Sequence, residues 1–260
     1  MKPWIIAHRG ASFEAPENTR SAFDKALTYP IEGLELDVQM TGDGRPVLYH
    51  NRTLFQINGS RKRISDYTYK QLLACDWGGW HSPKYAGEKI LTLHETLRLY
   101  SRSTRLMIEI KSRKQDRMSG RSLELTDNIL KTLETTAFRN HRDNIFILSF
   151  DPDVLKYAFR KAPTLKYVLN LSHSRGEPTS PTAIRRQPRP ETDHLHALCV
   201  KEKFLSQELV SYTRKLQKLL ITYACNVTKQ VNKALSLNVD VIITDKPGWL
   251  AALLHKKGPG

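Results

Sequence analysis

Eight short apolar runs recur along the chain, and helix-period segments fill most of the gaps between them. The runs are Trp4–Ala7, Gly33–Val38, Arg105–Lys111, Asn144–Phe150, Lys166–Leu171, Leu195–Val200, Leu219–Cys225 and Val239–Thr244. A helix is expected after Pro16-Glu17-Asn18-Thr19, with Ala22, Phe23, Ala26 and Leu27 at helical spacing and Asn18 or Thr19 as its N-cap. Further helices are expected at Leu93–Tyr100, Ser122–Thr135, Pro152–Lys161, Ser206–Lys215, Thr228–Leu237 and Trp249–Leu254. In Ser122–Thr135 the apolar stripe reads Leu123, Leu125, Ile129, Leu130 and Leu133. Strands that alternate with helices must pair in parallel, so the expected class is α/β, most simply a (β/α)8 TIM barrel. A doubly wound open sheet is the second choice.

Residues 51–90 break the rhythm. The segment is polar, basic and aromatic, with Asp66 expected to head a short helix and Trp77-Gly78-Gly79-Trp80 in a loop. It reads as a small insertion after the second strand, packed over one end of a single domain spanning residues 1–260. A second long connection, rich in Pro, Arg and Ser, is expected from Ser172 to Asp193.

Trp4-Ile5-Ile6-Ala7 is too short for a signal peptide and runs directly into His8-Arg9, and no apolar run reaches membrane-spanning length. Cys75, Cys199 and Cys225 are odd in number and lack CxxC spacing, which points to reduced thiols and a cytoplasmic protein. The formal charge of +15 favours anionic partners, including a weak attraction to anionic membrane. Specific nucleic-acid binding is not expected, because no stacking platform or recognition helix accompanies the charge. Much of the excess falls in Arg61-Lys62-Arg63, Arg113-Lys114, Arg185-Arg186 and Lys256-Lys257, which read as loops or chain ends.

The stretch from Gly33 to His50 holds the chemistry. Leu34, Leu36 and Val38 alternate with Glu35 and Asp37, placing two carboxylates on one face of a strand. The turn Thr41-Gly42-Asp43-Gly44 follows, and Pro46 to Tyr49 runs extended again to deliver His50. Glu109 and Lys111 repeat the pattern, with Ile108 and Ile110 facing the helices. Three inward carboxylates need desolvation, which pairing or a metal makes tolerable. Taken singly, each is a salt-bridge partner for Arg9 or Lys111. Together Glu35, Asp37 and Glu109 read as an all-oxygen site for Mg²⁺ or Ca²⁺, and not for zinc. His8 and His50 end two extended segments nearby and suit general acid–base work. His81, His94, His141, His173, His194, His196 and His255 lack such company and read as surface or packing residues.

His8-Arg9-Gly10, Pro16-Glu17-Asn18-Thr19, Glu35-Leu36-Asp37-Val38, Thr41, Asp43-Gly44, Val47 to His50, Glu109-Ile110-Lys111, Ser149-Phe150 and Thr244-Asp245 with Pro247 occur in that order. In these motifs the chain resembles the glycerophosphodiester phosphodiesterases. The resemblance implies a barrel with an insertion after its second strand. It also implies metal-dependent hydrolysis of small glycerophosphodiesters to sn-glycerol 3-phosphate and an alcohol. It assigns the metal to Glu35, Asp37 and Glu109, and the acid/base pair to His8 and His50. Arg9 and Lys111 would contact phosphate, with Glu17 and Asn18 supporting the first loop. Three positions depart from the family pattern. Asn51 replaces the usual Asp, Phe55-Gln56 replaces Arg-Thr, and Tyr223 replaces a Trp as an aromatic wall for substrate. These departures bear on the head group and leave the metal and acid/base set whole. The family reading competes with hydrolysis of a lysophospholipid at the same site and with a silent binder of anions. The preferred alcohol, the ion, the division of labour between the histidines and the oligomeric state stay open at this stage.

Overall fold

The computed structural model describes residues 2–171 and 192–256, together with Thr182 between them. Nine strands are described, β1 (Trp4–His8), β2 (Gly33–Met40), β3 (Pro46–Leu48), β4 (Arg105–Ile110), β5 (Ile145–Ser149), β6 (Lys166–Asn170), β7 (Ala197–Lys201), β8 (Leu219–Tyr223) and β9 (Val241–Thr244). All except β3 pair in parallel, and β1 bonds to both β9 and β2, so the sheet closes on itself. The result is an eight-stranded TIM barrel, and that closure rules out the open doubly wound sheet. β3 adds an antiparallel flap to β2, with Val38 opposite Leu48.

Two apolar layers follow from strand periodicity. Leu34, Leu36, Val38, Ile108 and Ile110 point outward and pack against the surrounding helices. Ile6, Met107, Phe146, Val168, Ile221 and Ile243 point inward and fill the barrel. The same inward face carries Glu35, Asp37 and Glu109 at the C-terminal ends of the strands, so the filled core gives way there to a polar mouth. Helices seal the outer layer from the positions their caps specify. Thr19 accepts from the Ala22 N–H to start Arg20–Ala26, and Thr92 with Glu95 forms a capping box on Leu93–Tyr100. Asp151 caps Pro152–Lys161, with proline at the first helical position.

Residues 51–90 build a small core of their own. Leu54, Ile64, Leu72, Trp77 and Ile90 cluster with Val47 and Tyr49 of the flap. Asp66 closes a 3-10 turn instead of heading a helix; Thr68, which can accept from the Gln71 N–H, starts Tyr69–Leu73. Leu123 is 40% exposed and does not belong to the buried stripe, because the inward face of Arg121–Glu134 runs Ser122, Leu125, Thr126, Ile129, Leu130 and Leu133, and Leu123 lies about 100° around the helix from Ser122. Two short helices, Lys114–Met118 and Thr136–Arg139, carry no clear apolar period and were not expected. The connection expected over 172–193 lies largely outside the described residues, as do His173, Arg185-Arg186 and Lys257.

The loop after β1 is held by close backbone contact. Gly10 has φ +84°, and a Cβ there would lie 2.6 Å from the Ala22 carbonyl carbon. Arg9 and Asn18, at φ 59°, also occupy the left-handed region, and the Asn18 N–H donates to the Arg9 carbonyl at 3.0 Å. Gly10→Ala would therefore overpack this loop against the first helix. The expected loss is about 1–3 kcal/mol, measured by urea unfolding.

Candidate active site

Strand register assembles the site. His8 of β1 lies opposite Glu35 of β2, and Asp37 of β2 lies opposite Glu109 of β4. The flap then returns His50 to the same rim, with the Tyr49 N–H donating to the Asp37 carbonyl at 3.0 Å. Glu35, Asp37 and Glu109 are 3%, 0% and 8% exposed, and each offers an oxygen within 4.8 Å of the others. Isolated, such a cluster would be strongly unfavourable.

Two cations offset it. Lys111 Nζ lies 2.6 Å from both Asp37 Oδ1 and Glu109 Oε1. Arg9 Nε lies 2.9 Å from Asp37 Oδ2, and Arg9 Nη1 donates to Glu17 Oε2 at 2.8 Å. Asn18 grips Asp37 twice, donating from Nδ2 to Oδ2 at 2.9 Å and accepting from the Asp37 N–H at 3.2 Å. Burial pushes the Asp37 carboxyl up, but Lys111 and Arg9 outweigh it and hold the group well below the usual carboxylate range. Glu35 goes the other way. Burial, then Asp37 and Glu109, push it well above that range, and Arg9 and Lys111 do not compensate. The patch is thus short of positive charge at Glu35.

The donor set fits a hard divalent cation. It is all oxygen, and it comes from two adjacent strands. Asn170 of β6 supports it by donating to Glu109 Oε2 at 3.2 Å.

The imidazoles are held from behind. His8 Nδ1 is 2.6 Å from Asp245 Oδ1, which leaves Nε2 facing Glu35 Oε2 at 3.9 Å. Asp245 is itself fixed by Asn226, whose Nδ2 donates to Oδ2 and whose Oδ1 accepts the Asp245 N–H at 2.9 Å. His50 Nδ1 pairs with Asn51 Oδ1 at 3.1 Å, so the neutral amide at the departing position orients the ring. Burial, with Lys111 and Arg9, lowers His50 to about 4 although Asp37 opposes the shift. Asn51 is tied to Gln56, while Phe55 is exposed and away from the mouth. Leu148, Phe150, Tyr223 and Ile243 supply the apolar part of a mouth of about 510 Å³ lined by both histidines, Arg9, Glu35, Glu109 and Lys111.

Every residue named from sequence for the site therefore lies at this rim, with Glu17 and Asn18 one step behind it. Several partners were missed. Asp245 falls in the Thr244-Asp245 motif at the end of the last strand, but its place behind His8 was not read. Asn170, Asn226 and Arg113 carried no such signal. Arg113 read as a loop charge, yet it is partly buried and donates to the Gln39 Oε1 at 3.0 Å and the His50 carbonyl at 2.9 Å. The other described histidines pack against rings, as His81 does on Trp80 and Tyr85 and His94 on Phe138, or lie at the surface, as His255 does. No described helix is long and apolar enough to cross a membrane. Cys75, Cys199 and Cys225 are free thiols.

A family model described as the glycerophosphoryl diester phosphodiesterase family matches residues 8–249. The glycerophosphodiester phosphodiesterase of Caldanaerobacter subterraneus subsp. tengcongensis is 31% identical over 261 residues, covering 99% of this chain and 100% of that protein. The solved glycerophosphodiester phosphodiesterase from Thermotoga maritima is 26% identical, with a TM-score of 0.75 over 97% of this chain and 99% of that one. An Oleispira antarctica phosphodiesterase, solved in complex with the product sn-glycerol-3-phosphate, shares the fold at a TM-score of 0.83, 23% identity and 97% coverage of each chain.

Because Glu35 is raised by burial and by two like charges, the metal-free native state holds its proton more tightly than the unfolded chain. Its contribution to stability is present below its ordinary pKa and is lost as pH rises through the folded value. A cation must displace that proton, so cation stabilisation grows with pH. In thermal unfolding, Mg²⁺ or Ca²⁺ at a hundredfold excess over Kd should stabilise wild type by about 2.7 kcal/mol. Glu35→Gln should abolish that gain and flatten the metal-free pH dependence.

Proposed function

The chain belongs to the glycerophosphoryl diester phosphodiesterase family, and from that premise we propose how its barrel mouth hydrolyses a small phosphodiester to sn-glycerol 3-phosphate and an alcohol. The observation that carries the reading is the convergence of three buried carboxylates with two imidazoles, one from β1 and one from the flap, around a single mouth. Residues 1–260 act as one catalytic unit with 51–90 as its insertion.

Glu35, Asp37 and Glu109 hold the divalent ion, Mg²⁺ or Ca²⁺. When bound, it supplies Lewis-acid stabilisation of the charge that builds on the non-bridging phosphoryl oxygens. Arg9 and Lys111 complement the same charge from fixed positions. Glu17 keeps Arg9 in place and Asn18 keeps Asp37 in place. Tyr223 walls the mouth beside the substrate.

His50 serves as the general base. A neutral amide orients its Nδ1, burial holds the ring neutral near pH 7, and Nε2 is left to take a proton from the nucleophile. That nucleophile is water, or the substrate's own neighbouring glycerol hydroxyl; in the second case the alcohol leaves from a cyclic phosphodiester, which water then opens to sn-glycerol 3-phosphate with the two histidines in exchanged roles. His8 serves as the general acid, giving the proton on Nε2 to the leaving alkoxide. The Asp245 carboxylate behind Nδ1 complements the positive charge that a proton-donating imidazole carries. With water as the nucleophile, one proton enters the site at His50 and one leaves from His8, so the pair resets by exchange with solvent.

The relative solved with sn-glycerol-3-phosphate supports the product class. We place the protein in the cytoplasm, and its charge of +15 gives a weak attraction to anionic membrane.

His8→Ala and His50→Ala should each lower kcat for release of sn-glycerol 3-phosphate from sn-glycero-3-phosphocholine by about 10²–10⁴-fold. Unchanged far-UV circular dichroism would show the fold retained. Chelator should abolish wild-type turnover, and added Mg²⁺ or Ca²⁺ should restore it. Full activity in either variant would refute the acid/base assignment.

A further inference from the structure

A second cleft adjoins the catalytic mouth at Lys111. Gln39 and Met40 at the end of β2, Arg52 and Arg63 of the insertion, and Arg113 and Arg121 after β4 line it. Lys111 is already matched by Asp37 and Glu109. The potential of the cleft therefore comes from the four arginines, against one lining carboxylate, Asp116.

Among the described residues, only Arg63 of these four has a carboxylate within ion-pair distance, Asp66 at 3.3 Å. The rest are held on neutral oxygens. Arg52 donates to Gln115 Oε1, and Arg63 donates to the same atom at 3.1 Å. Arg113 uses Gln39 and the His50 carbonyl, and Arg121 uses the carbonyls of Met40 and Thr41 at 3.2 and 3.1 Å. Asp116 accepts only the backbone N–H of Arg113, at 3.2 Å. Two guanidiniums sharing one uncharged acceptor repel each other, and Arg113 pays burial in addition, with Arg52 disfavouring its charge further. A solvated basic surface would spread such charges outward. Here they line one recess that shares Lys111 with the catalytic mouth, and an anion placed there offsets these repulsions.

We infer that the cleft formed by Arg52, Arg63, Arg113 and Arg121 is a subsite for a phosphate carried on the alcohol of the diester substrate. It rests on the proposed function, since the diester itself must sit in the mouth while its second phosphate reaches past Lys111. The preferred substrates are then diesters of a phosphorylated alcohol, and diesters of a cationic alcohol are poor ones.

The test compares sn-glycero-3-phosphoinositol 4-phosphate with sn-glycero-3-phosphoinositol, which differ by that one phosphate. Charge-assisted hydrogen bonds to the arginines should give wild type about a tenfold higher kcat/KM on the phosphorylated diester, and raising the ionic strength should shrink the ratio. The double variant Arg52→Gln, Arg63→Gln should bring the ratio close to one while its rate on the unphosphorylated diester stays at the wild-type level, which also reports folding. Should the double variant lose that rate, Arg52→Gln alone, at an exposed position, should still lower the ratio. A wild-type ratio at or below one, or a ratio that survives these substitutions, overturns the subsite and leaves the proposed function standing. Failure of wild type to hydrolyse these two diesters and sn-glycero-3-phosphocholine overturns both.

Discussion

Three carboxylates buried within 4.8 Å of one another set the terms for the rest of the molecule. A cluster of that charge cannot persist in a low-dielectric setting without cations, and the chain supplies two of its own in Arg9 and Lys111. Their distribution is uneven. Asp37 receives both and is held well below the usual carboxylate range, whereas Glu35 receives neither closely and is pushed well above it. The unfilled demand at Glu35 suits the mouth to a further cation and keeps it from being a closed salt-bridge network.

The barrel serves that cluster through register more than through shape. Parallel pairing of β1, β2 and β4 puts His8 beside Glu35 and Asp37 beside Glu109, so a shift of one residue in either ladder would turn the acids into the helix layer. The apolar interior below them, from Ile6 to Ile243, fixes those strands and keeps water beneath the site to a minimum. The insertion has a separate task. Its own core of Leu54, Ile64, Leu72 and Trp77 anchors the flap that carries His50, and its arginines form one wall of the adjoining cleft. The same segment thus positions His50 and shapes what lies next to it.

Much of this was legible in the residues themselves. Period-two alternation in Leu34–Val38 and around Glu109 gave both the strands and the face on which the acids stand, and that face proved to be the inner one. Helix spans were readable where caps and apolar stripes agreed, as at Leu93–Tyr100 and Pro152–Lys161. Legibility failed where a residue's meaning depends on a partner far along the chain. Asp245 backs His8 across 237 residues, and Asn170 reaches Glu109 across 61. Arg113 looked like one more exposed charge because nothing local shows that the His50 carbonyl will fold against it. Leu123 failed for the opposite reason, since it is apolar but its spacing puts it off the face that Ser122, Leu125, Thr126 and Ile129 turn inward.

The measurement that tests the central claim most directly is anomalous diffraction from crystals of the protein soaked in Mn²⁺, a hard ion that can stand in for Mg²⁺ or Ca²⁺. The account predicts one ion bound by oxygens of Glu35, Asp37 and Glu109 at about 2.0–2.6 Å. It also predicts that both imidazoles will face the ion's open side. An ion bound elsewhere with this triad left empty, or a triad closed onto Lys111 and Arg9 at saturating Mn²⁺, would contradict it.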